Sequence, residues 1–301
     1  LEVLNLKDTN NDSFNDSFYT DLSFGTGGMR GIVGVGPNRV NKYTFGRNTQ
    51  GISNYINKYS NNKPESVVIA YDCRNDSEYL AKQVADTFSA NNIKVYLFNS
   101  IRPTPELSYA VVKLNCICGI VLTASHNPPE YNGYKVYWKD GGQIIPPIDT
   151  NLINEINKTD YSEINFKRNE SLVEIIGEEI DNQFIKDSIL NGKVGDSKRE
   201  DYKIVFTPLH GTSYKILPKV LKGAGYKDLH VVKEQAIPDG NFPTVKSPNP
   251  EEPEALKMAI ELARNKDADI VIGTDPDADR VGIAIKDLSL IHIWRCRRQR
   301  L

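Results

Sequence analysis

Hydrophobic and polar positions alternate along this chain in blocks. Short apolar runs rich in β-branched residues recur at 66–71, 93–98, 116–122, 202–206, 229–232 and 268–273, each the length of one buried strand. Between them, residues 77–90, 106–114, 180–189 and 254–265 space apolar side chains three and four apart, which predicts helices. Such alternation predicts α/β sandwich domains with at least partly parallel strands. Open sheets of this kind bind ligands beyond the C-terminal ends of their strands. The unusual sequences stand at those ends. Asp72 closes the first run, and Arg102-Pro103-Thr104-Pro105 breaks the chain after the second. Residues 146–177 are polar and irregular, and a second domain is expected to open with the helix after them. No fixed-period repeat stands out, although both halves share the strand–helix rhythm.

The sharpest motif follows the last apolar run: Gly273-Thr274-Asp275-Pro276-Asp277-Ala278-Asp279-Arg280. Three carboxylates at every second position repel one another when brought close, unless a cation neutralises them. On an extended strand such neighbours stand about 6.6 Å apart, whereas a small ion needs oxygens at about 2.0–2.1 Å. The segment must therefore curl into a tight loop, with Pro276 fixing one φ. Hard oxygen donors without His or Cys favour magnesium over zinc. A calcium EF-hand loop would need Gly at its sixth position and Glu at its twelfth, where Arg280 and Lys286 stand. A solvated acidic turn is the plain alternative. Arg280 would offer a fork for phosphate oxygens.

Two further segments carry chemistry. Phe24-Gly25-Thr26-Gly27-Gly28-Met29-Arg30-Gly31 is glycine-dense but has neither the Walker A spacing nor G-x-G-x-x-G. Its N–H groups and Arg30 form a phosphate cradle or a simple hairpin turn. The apolar run ending at Leu122 meets Thr123-Ala124-Ser125-His126-Asn127 and then Pro128 and Pro129. A hydrolase elbow would need glycines where Thr123 and Asn127 stand. His126, as immediate neighbour, is poorly placed to activate Ser125 in a triad. Ser125 therefore reads as chemical without its chemistry being named.

Composition narrows the classes. With 301 residues, 39% hydrophobic and 25% charged, the chain suits roughly two globular domains. No apolar run reaches the ~18 residues of a membrane helix. The chain opens at Leu1 rather than Met, as expected of a fragment. The segment from Leu288 to the end follows no earlier pattern. Its residues 288–298 resemble the translation of a transposase adapter used in sequencing libraries, with a TGA codon read as Trp294. Residues 288–301 are thus expected to be a non-native tail. Without Arg295, Arg297, Arg298 and Arg300, the 37 basic residues fall to 33 against 39 acids, and net charge moves from −2 to −6. That balance gives no support to a nucleic-acid partner. Cys296 lies in the tail. Cys73, Cys116 and Cys118 read as reduced core residues, with Cys116 and Cys118 on one strand face.

Four segments in one order, "GTGGMRG", "TASHNPPEYNGYK", "DGNFP…PNP" and "GTDPDADR", resemble the α-D-phosphohexomutase superfamily. The wording from Ser23 to Asn41 is most similar to its phosphoglucomutase and phosphopentomutase branch. The likeness spans residues 22–287. It implies α/β/α sandwich domains with mixed sheets, the first two of four: domain I over 1–178, with the phosphoserine loop, and a truncated domain II over 179–287, with the metal loop. It further implies an isomerase of the cytoplasm that interconverts hexose 1- and 6-phosphates, most closely a phosphoglucomutase. Phosphomannomutase, phosphopentomutase and a silent sugar-phosphate-binding paralogue are the alternatives. Ser125 matches the serine that carries the phosphoryl group. Asp275, Asp277, Asp279 and the phosphoserine match the ligands of one Mg2+. His126 and Lys135 match residues beside the phosphoserine, and Arg30 and Arg280 match cleft arginines that bind phosphate. Small sugar phosphates are the implied partners, with a sugar bisphosphate as activator and intermediate, and neither nucleic acid nor membrane. Half of the cleft would lie beyond Asp287, so the fragment alone is expected to be inactive. His210 in "TPLHGT" is expected to have a structural role.

Overall fold

The computed structural model describes residues 2–192 and 198–285, and the backbone of residues 292–295. Its strands are β1 (Gly28–Ile32), β2 (Ser66–Tyr71), β3 (Lys94–Phe98), β4 (Cys118–Leu122), β5 (Tyr131–Trp138), β6 (Val173–Ile176), β7 (Lys203–Thr207), β8 (Asp228–Val231), β9 (Ile270–Thr274), β10 (Arg280–Ile285) and β11 (His292–Arg295). The helices are α1 (Glu2–Thr9), α2 (Asn11–Tyr19), α3 (Lys42–Tyr59), α4 (Ser77–Ala90), α5 (Thr104–Lys113), α6 (Ile148–Lys158), α7 (Glu178–Asn191), α8 (Ile216–Gly223) and α9 (Lys257–Lys266).

The first sheet runs β1-β5-β4-β2-β3-β6. Strands β4, β2, β3 and β6 are mutually parallel, while β5 returns antiparallel to β4 and β1 antiparallel to β5. The unbroken apolar run of β2 reflects burial on both faces. Val67 and Ile69 join a core with α3, α4 and α6, whereas Val68 and Ala70 join one with α5 and Ile180 of α7. A side chain such as Ile69 or Phe88, fully buried there, contributes about 1.5–3 kcal/mol. The second sheet runs β11-β10-β9-β7-β8 and is also mixed, with β9 and β8 parallel to β7. Its core joins Val205, Val271 and Ala284 to Ala259 and Ala263 of α9. Two α/β/α units with mixed sheets result.

The two sheets share one piece of wiring. In the first, β4 leaves a parallel neighbour, passes through the Ser125 loop and returns antiparallel as β5. In the second, β9 does the same through the Asp275 loop and returns as β10. Helix α7 starts beside the expected domain boundary and serves both units. Ile180 belongs to the first core, and further along the helix packs on α8.

Several sequence expectations need correction. Residues 146–177 hold α6 and β6, not irregular chain alone. Strand β5 lay hidden behind Pro128 and Pro129, although Tyr134, Val136 and Trp138 alternate inward as a period-two strand should. Helix α3 escaped because its buried face is largely polar: Thr49 and Ser53 satisfy their hydroxyls on Phe45 and Thr49 carbonyls one turn back. Cys116 and Cys118 do not share a face. The strand begins only at Cys118, so Cys116 sits in the preceding turn and joins the α5 core while Cys118 joins the other. Within the expected tail, residues 292–295 pair antiparallel with β10. A sheet edge accepts any extended segment, because main-chain groups make the ladder. Cys296 and the rest of that segment lie outside the described residues.

Candidate active site

The two equivalent loops meet. Ser125, 2% exposed, sits at the tip of the β4–β5 loop with φ +54°, a left-handed conformation uncommon for a non-glycine residue. Its own N–H donates to Thr123 Oγ1 at 2.7 Å, which holds that turn. The Ser125 hydroxyl donates to Asp275 Oδ2 at 2.5 Å, across 150 residues of sequence. His126 Nδ1 stands 3.4 Å from the same hydroxyl oxygen, too far and too close in sequence to act as a triad base. Arg30, on β1, donates from Nη1 to Asn127 Oδ1 at 2.6 Å and so faces the serine loop. The glycine-dense segment before it forms a tight turn, in which Gly25 and Gly28 exchange main-chain hydrogen bonds of 2.8 and 3.0 Å.

The β9–β10 loop curls as the spacing of its acids demands. Ala278, at φ +57°, makes the turn, with its N–H on the Asp275 carbonyl at 2.9 Å. One carboxylate oxygen from each of Asp275, Asp277 and Asp279 lies within 4.8 Å of the others. The Arg280 N–H donates to Asp275 Oδ1 at 3.0 Å, while its guanidinium stands 3.7 Å from Glu251. The loop also rests on neighbours. Thr212 donates its N–H and hydroxyl to the Pro276 carbonyl at 2.8 and 2.9 Å. This approach needs Gly211, where a Cβ would stand 2.4 Å from Pro276 Cα. His210 engages both ring nitrogens inside the second unit, on the Ile237 carbonyl at 3.0 Å and Thr244 Oγ1 at 2.9 Å.

Charge is balanced across the two units. Lys135 Nζ, on β5, donates to Asp277 Oδ2 at 2.6 Å and Asp279 Oδ2 at 2.8 Å. Burial alone would lower the Lys135 pKa, but the two carboxylates outweigh it and hold the ammonium above its ordinary range. Burial likewise opposes ionisation of Asp277, and Lys135 overrides it to hold that carboxyl below its usual range. Asp275 goes the other way. Burial first, then the charges of Asp277 and Asp279, push it well up. His126 is lowered by burial first and then by the cations Arg280 and Arg30, against the opposing pull of Asp277 and Glu251.

Asp277 Oδ1 and Asp279 Oδ1 are buried without a hydrogen-bond partner among the described residues. Two orphaned carboxylate oxygens beside a third acid, all hard donors, fit a small divalent cation such as Mg2+.

Two contributors escaped the sequence reading. Thr104, at the start of α5, donates its N–H to the Asp277 carbonyl at 2.8 Å and its hydroxyl to Asp277 Oδ2 at 2.9 Å. Arg74, two residues past Asp72 at the end of β2, sits beneath the serine loop, donating to its carbonyls. Both follow the C-terminal end of a parallel strand, and that position was the available signal.

Family models for phosphoglucomutase/phosphomannomutase alpha/beta/alpha domain I and domain II match residues 21–163 and 182–288. The chain belongs to the phosphoglucomutase/phosphomannomutase family. It is 40% identical over 274 residues to a phosphoglucomutase of Staphylococcus haemolyticus, covering 90% of this chain and 50% of the relative. A phosphoglucomutase of Staphylococcus aureus strain MRSA252 is 39% identical over 276 residues, covering 90% and 49%. This member of the family therefore spans about half the length of the curated relatives it matches. Among solved structures, a phosphoglucomutase/phosphomannomutase family protein from Burkholderia thailandensis superimposes with TM-score 0.73 at 23% identity, covering 91% of this chain and 56% of that one. A putative phosphomannomutase from Thermus thermophilus gives TM-score 0.72 at 22% identity, covering 89% and 58%. These two establish likeness of fold.

Proposed function

We propose that this chain is the catalytic half of a phosphosugar mutase, with phosphoglucomutase the favoured activity and domains divided near residue 178. The observation that carries the reading is the Ser125 hydroxyl on Asp275, a nucleophile from one unit meeting an acid cluster from the other. Ser125 would carry the phosphoryl group between turnovers. In each transfer its P–O bond breaks as a P–O bond to a sugar hydroxyl forms, and the sugar's proton must leave. Attack by the 6-hydroxyl of a sugar 1-phosphate on the phosphoserine gives a bisphosphate, whose 1-phosphate then returns to Ser125 to leave the 6-phosphate. Asp275, Asp277, Asp279 and the phosphoserine would hold Mg2+, which when bound offsets charge on the transferring group. Lys135, kept protonated by its carboxylates, suits stabilising that charge rather than removing a proton. His126, neutral at pH 7, is the candidate to accept one. Arg30 and Arg280 would grip the phosphate oxygens by their forked donors.

Sugar phosphates, rather than nucleic acid or membrane, are the proposed partners, and the cytoplasm the proposed location. Among the described residues no helix is long and apolar enough to cross a membrane. A silent binding paralogue would have no need for Ser125 and all three aspartates together. The test is conversion of glucose 1-phosphate to glucose 6-phosphate by the uninterrupted gene product, with bisphosphate activator present. Ser125→Ala is expected to abolish it. Wild-type turnover in that variant would sink the assignment, and preference for mannose or ribose phosphates would move the activity within the family.

A further inference from the structure

One guanidinium gathers the serine loop. Arg74 Nη1 donates to the carbonyls of Pro128 at 2.7 Å and Tyr131 at 2.8 Å. Its Nη2 donates to those of Ser125 at 2.8 Å and Asn127 at 2.5 Å. Four carbonyls, three from the β4–β5 loop and one from the first residue of β5, thus converge on a side chain only 1% exposed. Asp72 supports it from below, 3.4 Å from Nε and accepting the Arg74 N–H at 3.0 Å. Asp72 also accepts from Ser77 at 2.7 Å, and Ser77 receives Asn132 of β5 at 3.0 Å, so the arginine's anchor is tied to the strand it serves.

The same residue touches the second unit. The Arg74 guanidinium lies 5.2 Å from the Phe242 ring centroid, and Asn75 donates to Asn241 at 3.1 Å. Gly240 packs so close that a Cβ there would be 2.8 Å from Arg74 Cα. The loop 239–242 is therefore seated on the residue that shapes the serine loop. Four charge-assisted hydrogen bonds of this kind together outweigh the cost of one strained residue. Arg74 thereby offsets the left-handed backbone at Ser125. It is buried beneath the loop and bound to main chain, so it reaches neither the acid cluster nor the open side of the site.

We propose that Arg74 is a positioning residue for phosphoryl transfer. It holds the serine loop in its left-handed form and keeps the second unit in register, so that the Ser125 hydroxyl meets the acid cluster. The transfer part rests on the phosphoserine reading above; the loop-holding part does not.

Hydrogen exchange on the 301-residue chain tests the loop. In Arg74→Ala, the hydrogen-bonded loop amides of Ser125 and Asn127 are expected to exchange about 10- to 100-fold faster, while β2, β4 and β5 keep their protection. Arg74→Lys, with one ammonium for four carbonyls, falls between, and added methylguanidinium slows exchange in Arg74→Ala alone. Unchanged exchange at Ser125 and Asn127, or protection lost evenly across the first sheet, overturns the proposal. Turnover of the uninterrupted gene product tests transfer. Arg74→Ala is expected to lower kcat about 100-fold with KM for glucose 1-phosphate changed by less than about threefold, as misplacement of a reacting group does. A wild-type kcat in Arg74→Ala overturns it. Retained turnover in Ser125→Ala would instead overturn the phosphoserine reading and leave the exchange result to decide what Arg74 holds.

Discussion

Glu106, in the first turn of α5, should make this fold less stable as pH rises, and Glu106→Gln should remove the effect. Its side chain is fully buried, with neither carboxylate oxygen accepting a hydrogen bond among the described residues. Asp181 of α7 faces it, and Arg102 stands 3.8 Å away while giving its two shorter contacts, 2.7 and 3.0 Å, to Asp181. Asn99 and Ser100 complete the ring around Arg102. Burial first, then the Asp181 carboxylate, push Glu106 from its ordinary 4.5 up to about 9, against the opposing pull of Arg102. Between those values the folded chain keeps a proton that the unfolded chain releases. Stability therefore falls with rising pH through that window, by about 1.4 kcal/mol per unit. From pH 6 to pH 8 that amounts to about 3 kcal/mol, a sizeable share of the 5–15 kcal/mol typical of a domain. A glutamine cannot ionise, yet its amide can donate to Asp181 as a protonated acid can. Urea unfolding of both proteins at pH 6 and pH 8, followed by circular dichroism, isolates the effect because all other groups are shared. Curves that shift in parallel with pH, to within about 0.5 kcal/mol, would refute the reasoning.

Other predictions concern the acid loop. Mg2+ should stabilise the chain against heat, by about 2.7 kcal/mol at a hundred times Kd, and Asp277→Asn should remove most of the shift. An Asp277→Asn chain with wild-type response to Mg2+ would show that the cation binds elsewhere. Ala278→Gly should stabilise the chain by about 0.5 kcal/mol, because relief of the left-handed alanine exceeds the added freedom of the unfolded glycine. Calorimetry that finds Ala278→Gly less stable would mean that the alanine methyl contributes packing that outweighs its strain.

The sequence announced the chemistry more clearly than the scaffold. Ser125 and the three aspartates stood out because their residue types are costly to place at strand ends without purpose, and the structure brings them together. Lys135 entered only by family likeness, since nothing local marks a lysine on β5 as the counter-charge of acids 142 and 144 residues away. Strands with clean β-branched runs, such as β2 and β9, were legible. Helix α3 was not, because Thr, Asn, Gln and Ser that make their own hydrogen bonds share its buried face with Phe45, Ile52 and Ile56 and blur the apolar spacing. Arg74 offered only its position just past the end of a parallel strand. Its partners are main-chain carbonyls, which carry no sequence signature.

The shared wiring of the two sheets has a further consequence. A parallel strand, a loop and an antiparallel return appear twice, once tipped with a hydroxyl and once with three acids. Set face to face, the two copies behave like unlike halves of a dimer joined in one chain, each lacking what the other brings. Under the proposed function, reactivity belongs to the seam and to neither half. Parting the halves by a small rotation would silence the site while leaving both folds intact, and substitution in one loop would be answered most directly by substitution in the other.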